Sequence, residues 1–144
     1  MKWYIASRTR HKEKVKEWVN LLRSKGDDVV FDWTKADLLI PYDQNPKESS
    51  QIAKELSITI PNADIFVLIS DAAGTDMFVE LGIAIVNAQQ MGKPKIYIVG
   101  EYNKRSLMHF HPAIIHTDTI EEVFSIECPE IINKKTDFLD SDCR

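Results

Sequence analysis

Apolar and polar positions alternate along this chain in two rhythms, one short and one helical. The run "KWYIAS" (2–7) is apolar and β-rich, and it predicts a buried strand. Val15, Trp18, Val19 and Leu22 then recur at i, i+3, i+4 and i+7, with Lys and Glu on the other side. That is one face of a helix, closed by Gly26. "DDVVFDW" (27–33) predicts a second strand. Residues 34–47 carry two prolines and no clean period, and they predict an insertion loop. A helical pattern runs from Glu48 to Ile60, where Pro61-Asn62 breaks it. "ADIFVLIS" (63–70) is apolar on both faces, as a central parallel strand should be. The next helix starts after Thr75 and runs to Met91, with Gly92 as its stop. "PKIYIVG" (94–100) predicts a fourth strand, "EYNKRSLMHFHP" a loop or short helix, "AIIHT" a fifth strand and "TIEEVFSI" a last helix. Residues 129–144 are polar and lack a period, which predicts a C-terminal tail behind one domain of residues 1–128.

Strands that alternate with helices imply an α/β fold, a parallel sheet of four to five strands with helices on both faces. Ligands of such folds sit beyond the carboxyl ends of the strands. Those ends deliver Ser7 and Arg8, Asp32 and Trp33, Ser70 and Asp71, and Gly100 and Glu101 to one cleft. Asp64 opens its strand seven residues before Asp71, about 23 Å away at ~3.3 Å per residue, so it belongs to the opposite end.

Within "SDAAGTDMFVELGIAIV" (70–86), Glu80 is the one ionisable residue of the apolar run from Met77 to Val86. A charge there costs free energy unless it is paired, solvated at a cleft or put to use. With Thr75 or Asp76 as the cap, Glu80 lies just past the first helical turn, and Gly82 leaves a gap where a backbone or ligand can approach. Asp71, at the end of the central strand, would give a second carboxylate in the cleft. Two carboxylates are the equipment for breaking a glycosidic bond. The other reading has Asp71 only capping its turn. In "SRTRHK" (7–12), Arg8, Arg10, His11 and Lys12 crowd the start of a helix, where cations oppose the dipole. An anion bound between them, on free N–H groups and the Ser7 hydroxyl, accounts for the placement and points to a phosphate site. A solvated basic turn offset by Glu13 and Glu17 is the alternative. Trp33, at the end of the second strand, is a candidate to stack on a nucleobase or else a core or lid tryptophan, and Tyr42 in the insertion has the same two readings. His109 and His111 lack a clear third ligand, so no metal site is expected.

Composition changes this picture little. The 144 residues are 44% hydrophobic and 28% charged, values of a globular domain, and the net charge of −4 argues against a dedicated binder of nucleic-acid polymers. Cys128 and Cys143 are too few for a disulfide framework, and a reducing, cytoplasmic setting is expected. The apolar N-terminus reads as a first strand rather than a signal peptide, and no apolar run nears the roughly 20 residues that span a bilayer.

"YIAS", "FDW", "ADIFVLISDAAGTDMFVELGIAI" and "GKPKIYIVG" together resemble the nucleoside 2-deoxyribosyltransferase family, which includes hydrolases of nucleoside 5′-monophosphates. The likeness spans residues 2–125, and its most specific part runs from Asp71 through Gly74, Thr75, Glu80, Leu81 and Gly82 to Ala84. The resemblance implies a flavodoxin-like three-layer sandwich. It implies that Glu80 attacks C1′ of the sugar and forms a glycosyl-enzyme, which water or a second base resolves. It assigns an acid or base-orienting role to Asp71, with Asp76 as a substitute, and sugar or phosphate binding to Ser7 and Arg8. No cofactor is implied, the partner is a small nucleoside or nucleotide, and a homo-oligomer is expected. Two other readings stay open: a nucleotide-binding module without catalysis, and a TIR-like NAD glycohydrolase.

Overall fold

The computed structural model describes residues 1–36 and 39–131. Positions 37 and 38 of the expected insertion loop, and the expected C-terminal tail from residue 132 onward, lie outside the described residues. Five strands, β1 (Lys2–Ala6), β2 (Asp28–Val29), β3 (Ile65–Ile69), β4 (Lys95–Val99) and β5 (Ile114–Thr117), form one sheet in the order β2-β1-β3-β4-β5. Every pairing is parallel. Four helices flank it: α1 (Lys12–Ser24), α2 (Pro46–Thr59), α3 (Asp76–Met91) and α4 (Ile120–Glu127). This is the flavodoxin-like three-layer α/β arrangement, whose strand order reverses between β1 and β3. None of the described helices is long and apolar enough to cross a membrane.

The strands read as continuous apolar runs because both faces of the sheet are covered. Trp3, Ile5, Ile65, Val67, Tyr97 and Val99 point to one side, against Val15, Val19 and Leu22 of α1 and Val123 and Phe124 of α4. Tyr4, Ala6, Phe66, Leu68, Ile96 and Ile98 point to the other, against Met77, Leu81, Ala84 and Ile85 of α3. The core reaches Ile131, which is buried with the α1–α4 layer. Helix α2 buries no residue, so it leans on the fold rather than anchoring it. Gly92 ends α3 in the left-handed region at φ 74°, where its N–H bonds to the Ala88 carbonyl.

One strand departs from expectation. Only Asp28 and Val29 of the expected strand 27–33 join the ladder. Asp32 accepts from both the backbone N–H and the hydroxyl of Thr34, and also from Arg23. That local turn competes with the sheet and curls residues 33–35 into a 3₁₀ turn. Asp64 does sit at the amino end of the sheet, where it accepts from the Lys2 N–H at 2.8 Å.

Candidate functional site

The strand order reverses between β1 and β3, and the carboxyl ends of the two strands flanking such a reversal are where open α/β sheets bind their ligands. From β1 the chain continues into Ser7, Arg8 and a 3₁₀ turn, Thr9–His11, ahead of α1. From β3 it continues through Ser70 and Asp71 into the turn 72–75 and α3. The tight join is made by Gly74, at φ +113°. A Cβ placed there would stand 2.8 Å from Met77 Cε and 3.2 Å from Arg8 Cγ. The glycine therefore lets the Arg8 stem lie directly across the turn.

Asp71 is 2% exposed, and its acceptor positions are filled from within the protein. Oδ1 takes Arg8 Nη1 at 3.1 Å and the Ala73 N–H at 3.0 Å. Oδ2 takes Arg10 Nε at 2.6 Å, and His11 Nε2 lies 3.0 Å from it. Burial alone would raise this carboxyl. The Ala73 N–H, His11, Arg8 and Arg10 outweigh burial and hold it well below the ordinary carboxylate range. The two arginines keep 39% and 59% of their side chains exposed, so their outer edges stay open to the crevice.

Glu80 behaves in the opposite way. It is half-buried, and burial pushes its carboxyl from 4.5 up to about 7. The neighbouring Tyr4 hydroxyl works against that rise, and the negative charge of Asp76 adds to it. Tyr4 lies in β1 and is 1% exposed, stacked on Phe66 at 5.7 Å between ring centres. Its own phenol is pushed well above its usual range by burial, then by Glu80. Tyr42, half-exposed in the segment before α2, has its phenol raised by burial, then by the negative charges of Asp76 and Glu80. Glu80 thus shares its surroundings with Tyr4 of β1, with Tyr42, and with Asp76 one turn earlier on α3.

The structure sorts the sequence-predicted residues into two groups. Ser7, Arg8, Arg10, Gly74 and Asp71 meet around the Asp71 clamp, with the Ser7 hydroxyl turned onto the Arg8 carbonyl at 3.2 Å. Glu80 meets Tyr4 and Asp76 instead, and the carboxylate that acts on it is Asp76. Thr75 occupies the cap of α3 without a side-chain capping bond. Trp33 is tied down by its indole N–H, which donates to the Ile5 carbonyl at 2.8 Å, and it packs on both apolar layers. A Cβ at Gly82 would meet nothing within 4 Å, so the space beside it is open, and the residue lies about 200° around the helix from Glu80. His109 is buried against Phe78, and His111 meets Gln89. Tyr4 was not singled out from the sequence, because a tyrosine inside an apolar strand reads as core; its hydroxyl acquires a role only once α3 is laid across β1.

No protein-family model and no curated protein matches the chain. Among solved structures it is similar to the Clostridium botulinum CMP N-glycosidase BcmB. The match covers 88% of this chain and 97% of that one, with a TM-score of 0.53 at 14% sequence identity. At that identity the likeness is one of fold, and it agrees with the architecture implied by the family resemblance: over most of its length this chain folds as that N-glycosidase does.

Proposed function

We propose that this protein cleaves the N-glycosidic bond of a nucleoside 5′-monophosphate, with Glu80 as nucleophile. The observation that carries the reading is Glu80 itself, a half-buried carboxylate on α3 beside Tyr4 of β1, its carboxyl pushed up to about 7 by burial. In the first step a Glu80 oxygen bonds to C1′ as the C1′–N bond breaks. The bond's electron pair leaves with the base, which takes a proton from solvent. In the second step water bonds to C1′, the ester to Glu80 breaks, and a proton returns to solvent. A second base in place of water would give transfer.

Asp71 is assigned the clamp rather than the acid. A carboxyl held so far down carries no proton near neutral pH. Two arginines against one aspartate leave a surplus positive charge, which supports phosphate binding at the exposed edges of Arg8 and Arg10, beside Ser7 and Thr75. Trp33 forms a fixed wall of the crevice. A homo-oligomer is supported by the outer face of α3, where Val79 and Val86 are 68% and 51% exposed.

The test incubates the protein with ribo- and deoxyribonucleosides, their 5′-monophosphates and NAD, and follows free base by chromatography. Base release from monophosphates, lost in Glu80→Gln, is expected. Full activity in Glu80→Gln overturns the nucleophile. Equal rates on free nucleosides overturn the phosphate site. Thermal stabilisation by nucleotides without any released base identifies a binding module, and consumption of NAD alone identifies an NAD glycohydrolase.

A further inference from the structure

Asp76 precedes Glu80 by four residues on α3, so the two carboxylates share a helix face, about 6 Å apart along the axis. This placement is unfavourable for Glu80, whose charged form Asp76 disfavours. An acid in the first turn suits the helix dipole on any face. The dipole therefore does not account for its facing the nucleophile. Asp76 is exposed, and it lies near enough to Tyr42 for its charge to hold the phenol above its usual range. A carboxylate accepts at two oxygens and several lone-pair positions, so one neighbouring tyrosine leaves most of its capacity free.

The stereochemistry of the substrate says what that capacity meets. In a β-nucleoside the base leaves one face of the furanose, and the 2′- and 3′-hydroxyls project from the other. A nucleophile that displaces the base in line must approach from the hydroxyl face. Groups that flank Glu80 on its own helix face therefore meet hydroxyl donors, not the base. The cis-2′,3′-diol of ribose supplies two donors close to C1′, and 2′-deoxyribose supplies one.

Resting on the reading of Glu80 as nucleophile, we propose that Asp76 is a specificity-determining residue: one turn before Glu80 on the same helix face, it accepts hydrogen bonds from the sugar diol and makes the site select ribonucleotides over 2′-deoxyribonucleotides. A site built to accept from a hydroxyl rejects the analogue that lacks it, because its acceptor loses a partner on desolvation. The preference follows the sugar and is indifferent to the base.

Binding is measured apart from turnover, in Glu80→Gln, by calorimetry with CMP and dCMP and again with AMP and dAMP. We expect each ribonucleotide to bind at least tenfold tighter than its deoxy counterpart. The ratio falls to about one in Glu80→Gln/Asp76→Ala and to an intermediate value in Glu80→Gln/Asp76→Asn, which preserves side-chain size. Equal affinities with Asp76 present, a ratio that survives Asp76→Ala, or no binding of any of the four overturns the inference. Turnover by the unmodified protein separates the two readings. Sugar-selective binding with no base released retains the role of Asp76 and removes that of the nucleophile. Base release with no sugar preference does the reverse.

Discussion

Glu80→Gln should stabilise the protein while abolishing base release, and the stabilisation should depend on pH in a defined way. The native carboxyl titrates near 7 instead of 4.5. Below pH 4.5 the group is protonated in both native and unfolded chains, and it costs nothing. Between 4.5 and about 7 the unfolded chain ionises and the native protein does not, so the wild type loses stability as pH rises. Above 7 both are ionised and the loss is complete, roughly 3 kcal/mol at ~1.4 kcal/mol per pH unit. Glutamine has no such titration. Thermal unfolding followed by circular dichroism, at intervals from pH 4.5 to 8.5, should therefore show nearly matching midpoints at the acid end. The variant should gain about 10 °C at the alkaline end. Catalysis runs the other way: the nucleophile must be ionised, so kcat/KM of the wild type should climb to a plateau above pH 7. A midpoint difference that stays constant across the range, or a flat rate profile from pH 5.5 to 8, refutes the placement of a destabilised carboxylate at this position.

Three further perturbations test the surroundings. Tyr4→Phe removes the hydroxyl that favours ionised Glu80; the acid limb of the rate profile should move to higher pH, and an unmoved limb denies Tyr4 that role. Asp71→Asn leaves Arg8 and Arg10 without their counter-charge; a loss of about 2 kcal/mol in urea unfolding is expected at pH 7. Because the native Asp71 carboxyl lies below 3.8, its contribution is present above that value and disappears only as pH falls through the lower native one. Gly74→Ala forces a side chain into a left-handed residue and against Met77 and Arg8; it should cost about 1–2 kcal/mol of stability and raise KM more than it lowers kcat.

Much of this architecture is legible in the residue pattern because the sheet is buried on both faces. The apolar run 65–69 and the long period of α3 have no competing reading, and strand ends followed by Arg8 and Asp71 mark the crevice. The edge is less legible. The segment 27–33 has strand composition throughout, but Asp32 spends its carboxylate on Thr34 and Arg23, and the pairing stops at Val29. The pairing of Asp71 with Glu80 is a second case. Both close the same segment, so sequence distance joins them, and only the three-dimensional path of residues 7–11 shows which cations reach which acid.

The two carboxylates nine positions apart are driven in opposite directions by what each is packed against. Burial raises both carboxyls. At Asp71, three basic side chains and a backbone N–H outweigh it. Glu80 has only a phenol working against the rise and an opposing carboxylate adding to it, so burial prevails. Groups whose environments force their ionisation apart are suited to different tasks. A permanently charged Asp71 can hold two arginines open toward an anion but cannot supply a proton. Glu80, poised near neutrality, is a stronger nucleophile once ionised than an ordinary carboxylate, at the cost of being ionised only part of the time below pH 7. Bringing the clamp's cations onto Glu80 would ionise it fully and blunt it. The separation of the two clusters, with Arg8 laid across Gly74 toward Asp71 and Tyr4 beside Glu80, is therefore what keeps the nucleophile reactive.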